Sequence, residues 1–159
     1  MYSQESCCDK LFVDFKFQNI VDANPPETKG VYVIRIRKKG KTSIEEMIRR
    51  TEKLVSKIGW KMVEEYVIGR VKRLSRIGEC PVIYIGSAAP RKGSKNTLKG
   101  RYRELSNRHT IMFPIWVLLY HGWQLEYGWK TCNNPKEEEN KLKEKYKKIH
   151  NKLPALVER

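Results

Sequence analysis

The sequence predicts a small mixed α/β domain, and three observations carry that expectation. Two short runs, KGVYVI at 29–34 and PVIYIGSA at 81–88, follow irregular stretches and are rich in the β-branched and aromatic residues that suit strands. Between and after them lie segments whose apolar residues recur at helical spacing. A chain of 159 residues with 40% hydrophobic content suits one domain with one core, and it argues against a disordered protein.

Residues 1–28 read as an N-terminal arm with one apolar alternation, LFVDFKF at 11–17, that suits a short edge strand. NPPETKG at 24–30 is turn chemistry, because two prolines and a glycine interrupt any regular element. The strand at 30–37 puts Val31, Val33 and Arg35 on one face and Tyr32, Ile34 and Ile36 on the other. A basic turn, KKGK at 38–41, closes it.

The clearest helix is 43–58. Ser43 and Glu46 have capping-box spacing, and Ile44, Met47, Ile48, Leu54, Val55 and Ile58 recur at helical intervals. A second helix at about 60–76 carries Met62, Val63, Tyr66, Val67 and Leu74 on one side and Arg70, Lys72, Arg73 and Arg76 on the other. Gly78 ends it and Pro81 introduces the next strand. Residues 89–100 form a loop rich in Gly, Lys and Arg, followed by a helical 101–109. Periodicity leaves 113–123 open between helix and strand. Residues 123–129 form a third strand, and about 136–149 a charged helix with a narrow apolar stripe of Leu142, Tyr146 and Ile149. The chain then closes in extended form. No internal repeat is visible.

Charge is the strongest compositional signal. Thirty-three Lys and Arg stand against 18 Asp and Glu, a formal +15, and such a surface attracts polyanions by counterion release and steering. No stretch reaches the roughly 18 uninterrupted apolar residues of a membrane span, so no membrane association is expected. MYSQESCCDK lacks a basic start followed by an apolar core, so no secretory signal is expected and a reducing cytoplasm is the expected compartment. Cys7, Cys8, Cys80 and Cys132 show no paired CxxC spacing for zinc and read as structural or incidental thiols.

A polyanion-binding chain that also cuts phosphodiesters needs an activated water, a cation at the non-bridging oxygens and help for the leaving oxygen. Tyr32 and Tyr84 lie on two strands that can pair about 5 Å apart and aim both phenols at one phosphate. A phenol serves as base only if neighbouring cations or a metal bring its pKa well below about 10. Otherwise both are ordinary strand tyrosines. Arg91, Lys92, Lys95, Lys99, Arg101, Arg103 and Arg108, opposed only by Glu104, form a basic loop running into a helix that can grip phosphates. The acidic run at 137–139 opens the last helix, where it complements the helix dipole or supplies a ligand to Mg²⁺, which needs only one or two carboxylates.

In order along the chain, Gly30–Val31–Tyr32, Tyr84–Ile85–Gly86, Leu98 with Arg101, and Glu139 with Leu142, Leu153 and Pro154 resemble the signature of the GIY-YIG nuclease family over roughly residues 29–157. The resemblance implies a central antiparallel three-stranded sheet flanked by helices, with an inserted helical pair at 43–77. It also implies a divalent-metal-dependent endonuclease acting on double-stranded DNA. In that scheme Glu139 (with Glu138 as the fallback) binds Mg²⁺ or Mn²⁺. Tyr32 or Tyr84 orients or deprotonates the attacking water, Arg101 stabilises charge on phosphorus, and the product keeps a 5′-phosphate. The family often places His or Tyr four residues after the arginine. This chain has Leu105 there, leaving His109 or Tyr102 as substitutes, and Val157 stands where a late asparagine is common.

A restriction enzyme would use Arg70, Lys72, Arg73 and Arg76 in a major groove, with the basic loop or a homodimer adding sequence reading. A repair or junction nuclease would read shape and phosphates instead. Two rivals are a non-cutting nucleic-acid module on the same fold and a PD-(D/E)xK nuclease. The latter would use Asp14 and Glu27–Thr28–Lys29, but that Glu-x-Lys falls in a proline-broken turn where the site needs a strand.

Overall fold

The computed structural model describes residues 8–90 and 96–158. After a short 3-10 helix, Asp9–Phe12, the elements run β1 (Lys16–Asn19), β2 (Gly30–Lys38), α1 (Ile44–Ser56) and α2 (Lys61–Val71). A 3-10 turn at Lys72–Arg76 leads to β3 (Val82–Ala88), α3 (Leu98–Glu104), α4 (Met112–Tyr120), β4 (Gln124–Thr131) and α5 (Pro135–His150). The four strands form one antiparallel sheet in the order β1-β4-β2-β3, so the expected three-stranded sheet has a fourth strand. The extra strand lies at 16–19, only at the end of the 11–17 alternation. Phe12 and Phe15 are buried in the core beneath the sheet with Leu142 and Tyr146 and do not alternate along a strand.

The sheet is covered on both faces, which explains why β2 reads as an unbroken apolar run. Tyr32, Ile34 and Ile36 pack with Leu125, Tyr127, Met47, Leu118 and Leu98 on the side of the inserted helices. Val31 and Val33 pack with Ile85, Leu142 and Tyr146 on the other. The faces assigned to these five residues from the alternation are those observed. Across β2 and β3 the register sets Tyr32 opposite Gly86 and Ile34 opposite Tyr84, with an irregularity between Ile34 and Arg35.

Local chemistry explains most boundaries. The Ser43 hydroxyl accepts the Glu46 N–H at 3.2 Å and starts α1. Thr97 does the same for Gly100 at 3.0 Å, so α3 begins three residues earlier than expected and Arg101 falls in its first turn or so. The open segment 113–123 is helical; Pro114 is tolerated because it sits in the first turn of α4. Asn151, at φ 60°, ends α5 in the left-handed region. The tail at 153–158 turns back instead of running out: the Leu156 N–H donates to the Ile83 carbonyl at 2.9 Å, and Ala155, Leu156 and Val157 are buried.

The inserted helices depart from their expected stripes. Met47, Val55, Val71 and Leu74 are buried, whereas Leu54, Ile58, Met62 and Tyr66 are exposed. No helix among the described residues is long and apolar enough to cross a membrane.

Candidate active site

Tyr32, Tyr84 and the pair Arg101 and His109 come from three separate parts of the chain and meet on the helical face of the sheet. Tyr32 projects from the inner strand β2 and is fully buried; Tyr84 projects from the edge strand β3 and is half-buried. Their ring centroids lie 5.8 Å apart, and the Tyr32 ring stacks on Tyr127 at 5.3 Å. The rings close over Gly86. A Cβ there would lie 2.6 Å from Tyr32 Cζ, 2.7 Å from its hydroxyl and 2.8 Å from Tyr84 Cε1, so only glycine lets the rings approach. The other signature glycine, Gly30, is similarly constrained: a Cβ would sit 2.3 Å from the Lys130 carbonyl oxygen.

His109 lies just beyond α3 and is 4% exposed. Its Nε2 is 2.8 Å from the Tyr32 hydroxyl and 3.2 Å from an Arg101 guanidinium nitrogen. Arg101 can only donate, so it assigns the lone pair to Nε2; the longer 3.3 Å approach of the Ile111 N–H to Nδ1 is the one that yields. Arg101 also reaches the Tyr32 hydroxyl at 3.4 Å and ion-pairs with Glu104 through its other terminal nitrogen. Arg101 Nε is buried with no protein partner, as are Arg70 Nε and a terminal nitrogen of Arg73. Such donors are costly to leave unmatched.

Burial governs the ionisation of this cluster. It pushes the Tyr32 phenol well above 10, reinforced by Tyr84 and only partly opposed by Arg101. Burial also raises Tyr84, against the pull of a hydrogen bond with Tyr32 and the Arg101 charge, while Glu139 and Glu158 add to the rise. Burial and then the Arg101 charge lower His109 to about 3. At neutral pH both phenols are therefore protonated and the imidazole is neutral. The depressed phenol expected for a base is not found in this arrangement.

Glu139 approaches β3 from the opposite side. It is 4% exposed, and one carboxylate oxygen accepts from Lys143 at 2.7 Å and Lys136 at 3.1 Å. Burial alone would raise its pKa. Hydrogen bonds from Lys143 and Ser87, the Lys143 charge and Lys136 outweigh burial and hold it below the usual range, so the carboxylate is ionised. Ser87 neighbours Gly86 on β3 but alternates to the α5 face, so Glu139 and the tyrosines flank the edge strand from two sides. Glu139 still acts electrostatically on Tyr84 across it.

Several of these partners were not anticipated. Lys143 stands four residues after Glu139 on α5, a helical spacing that marks an ion pair in the sequence itself. Ser87 and Glu158 carry no such mark, because only the fold brings them to the edge strand. Glu138 pairs with Lys130 at 3.5 Å. Tyr102 is directed elsewhere, donating to the Ile20 carbonyl at 2.6 Å. Leu105 is buried in the core, and so is Val157.

The nucleic-acid candidates divide. Arg91, Lys92 and Lys95 lie outside the described residues. Arg103 and Arg108 are exposed beside the site, and Lys99 is half-buried. Arg70, Lys72, Arg73 and Arg76 do not share one helix: Arg70 ends α2 and the others sit on the 3-10 turn. Arg70 and Arg73 are tied to Glu158, and Arg70 also lies over the Tyr66 ring at 4.3 Å; Lys72 and Arg76 are exposed.

Compared with known proteins, the chain matches no family model, no curated protein and no solved structure.

Proposed function

We propose that this protein is a divalent-metal-dependent endonuclease of GIY-YIG type that hydrolyses phosphodiester bonds in double-stranded DNA inside a reducing cytoplasm. The observation that carries the proposal is the convergence of Tyr32, Tyr84, Arg101 and His109 near Gly86, with a buried and ionised Glu139 across the edge strand. The Arg101 guanidinium beside Tyr32 favours an anionic substrate, and a formal +15 favours a polyanion.

Within this scheme the half-buried Tyr84 is the phenol that reaches substrate, and the fully buried Tyr32 is a positioning residue. The Tyr32 ring packs beside Tyr84, with centroids 5.8 Å apart, while His109 and Arg101 fix Tyr32. Protonated Tyr84 orients the attacking water rather than taking its proton. Arg101, directed at the Tyr32 hydroxyl, stabilises charge on the phosphoryl oxygens. Glu139 fits a hard divalent cation by donor type and ionisation, although Lys136 and Lys143 compete for its carboxylate. Mg²⁺ or Mn²⁺ bound there would supply the Lewis acidity that activates water and neutralises phosphate. Exposed Arg103 and Arg108 would hold the flanking backbone.

Plasmid cleavage tests this. Supercoiled DNA is incubated with wild type, Glu139→Ala or Arg101→Ala in Mg²⁺, Mn²⁺ or EDTA. Metal-dependent cutting by wild type is expected, lower by on the order of 10²–10⁴ in either variant. Discrete fragments mark a restriction enzyme, and nicking without discrete bands marks a structure-selective repair enzyme. A mobility shift without cutting in every metal overturns the nuclease proposal in favour of a binding module. The raised phenol pKa values favour that second reading.

A further inference from the structure

We propose that Cys8, Cys80 and His150 form a binding site for a thiophilic divalent ion, best matched by Zn²⁺, which clamps the N-terminal arm, the foot of β3 and the end of α5 together. Cys8 Sγ lies 3.3 Å from Cys80 Sγ and 3.1 Å from His150 Nε2, and all three donor atoms fall within 4.8 Å of one another. Ligands on a tetrahedral zinc ion, with Zn–S about 2.3 Å and Zn–N about 2.0 Å, stand roughly 3.5–3.8 Å apart. The Cys8–Cys80 and Cys8–His150 pairs would each open by about half an ångström to admit the ion, and the third pair already lies within 4.8 Å. Two sulfurs and an imidazole suit zinc and disfavour Mg²⁺, which takes oxygen ligands. The site is therefore chemically distinct from the Glu139 carboxylate.

Each donor stands on backbone that is already fixed. Cys8 is fully buried at the head of the 3-10 helix, where its carbonyl accepts the Leu11 N–H at 3.0 Å. Cys80 immediately precedes Pro81, whose carbonyl accepts the Ile36 N–H at 2.8 Å where β3 begins. The His150 ring packs on buried Tyr146, one helical turn earlier, with centroids 4.3 Å apart. Cys8 is separated from Cys80 by 72 residues and from His150 by 142, so no short spacing motif marks the site in the sequence. Ligands that distant close long loops, and an ion joining them removes much of the freedom of the unfolded chain. The clamp acts on the strand that carries Tyr84, about four residues or 13 Å along β3. It does not depend on what the tyrosine site does.

Metal analysis of the reduced full-length protein tests the proposal. About one zinc per chain should survive dialysis. Added to the metal-free protein, Co²⁺ alone should give the intense visible bands of tetrahedral thiolate coordination. Cys80→Ser and His150→Ala should lose both signals, and Cys132→Ser should keep them. Because the serine variant can fail to fold, His150→Cys provides a second test: it should retain one ion per chain with a stronger thiolate-to-cobalt band. Chelation of the wild type should lower Tm by roughly 5 °C or more. Three results overturn the proposal: no stoichiometric zinc or cobalt binding by the reduced wild type, a cobalt spectrum indifferent to these variants, or a Cys8–Cys80 disulfide with no metal as the resting state.

Discussion

Replacing Gly86 by alanine tests the centre of the site directly. The added methyl would stand 2.6–2.8 Å from atoms of both tyrosine rings, roughly an ångström inside ordinary carbon contact. Neither ring has an easy escape. Tyr32 is stacked on Tyr127 and bonded to His109, and Tyr84 meets His109 edge-on with centroids 5.2 Å apart. Overpacking of this kind costs about 1–3 kcal/mol, which for a domain of this size lowers Tm by about 3–10 °C. If the rings move by an ångström to make room, catalysis falls by about 10²-fold even in the folded fraction. Gly69→Ala is the matched control. It lies within α2 with nothing within 4 Å of its virtual Cβ, and should be stabilised by up to about 1 kcal/mol. Thermal melts and single-turnover cleavage of both variants decide the matter. A Gly86→Ala protein as stable as wild type would refute the arrangement of the two rings.

Further expectations concern ionisation and local structure. His109 is held near 3 when folded and titrates near 6.5 when unfolded, so the unfolded chain binds the extra proton between those values. Its contribution is complete above about pH 6.5 and is lost as pH falls toward 3, on the order of a few kcal/mol in total; chemical denaturation of His109→Gln should show a flatter pH profile in that window. The folded pKa of Glu139 is depressed, so the stability it adds is present above the usual carboxylate value and disappears as pH falls below it. Glu139→Gln should remove that acid-limb sensitivity in the same assay. Ser43→Ala removes the α1 cap and should cost about 1 kcal/mol without altering DNA binding, read by urea melts and gel shifts.

What the sequence revealed and what it hid follow from the range of the interactions. The buried strand β2, the Ser43 cap and the charged α5 are set by neighbours in the chain, and periodicity or spacing finds them. The edge strand expected at 11–17 forms instead at 16–19, because β1 is held by its pairing with β4 while the nearby Phe12 and Phe15 serve the core. Met62 and Tyr66 have helical spacing yet point outward, since spacing gives a face but not what covers it. The tyrosines, Arg101 and Glu139 could be named from motif order. The role of His109 could not, because Tyr32 reaches it across 77 residues. Nor could the ionisation of the phenols, which depends on how deeply the fold buries them.

The return of the tail onto Ile83 also bears on aggregation. β3 is an edge strand whose run VIYIG is apolar, uncharged and β-prone, the composition that templates pairing between chains. Pro81 stands just before it, and the Leu156 N–H already occupies the Ile83 carbonyl. The other edge, β1, is only four residues long. Removing 153–158 would leave β3 open to a neighbouring molecule's strand, so the last few residues act as a guard against fibril-like association.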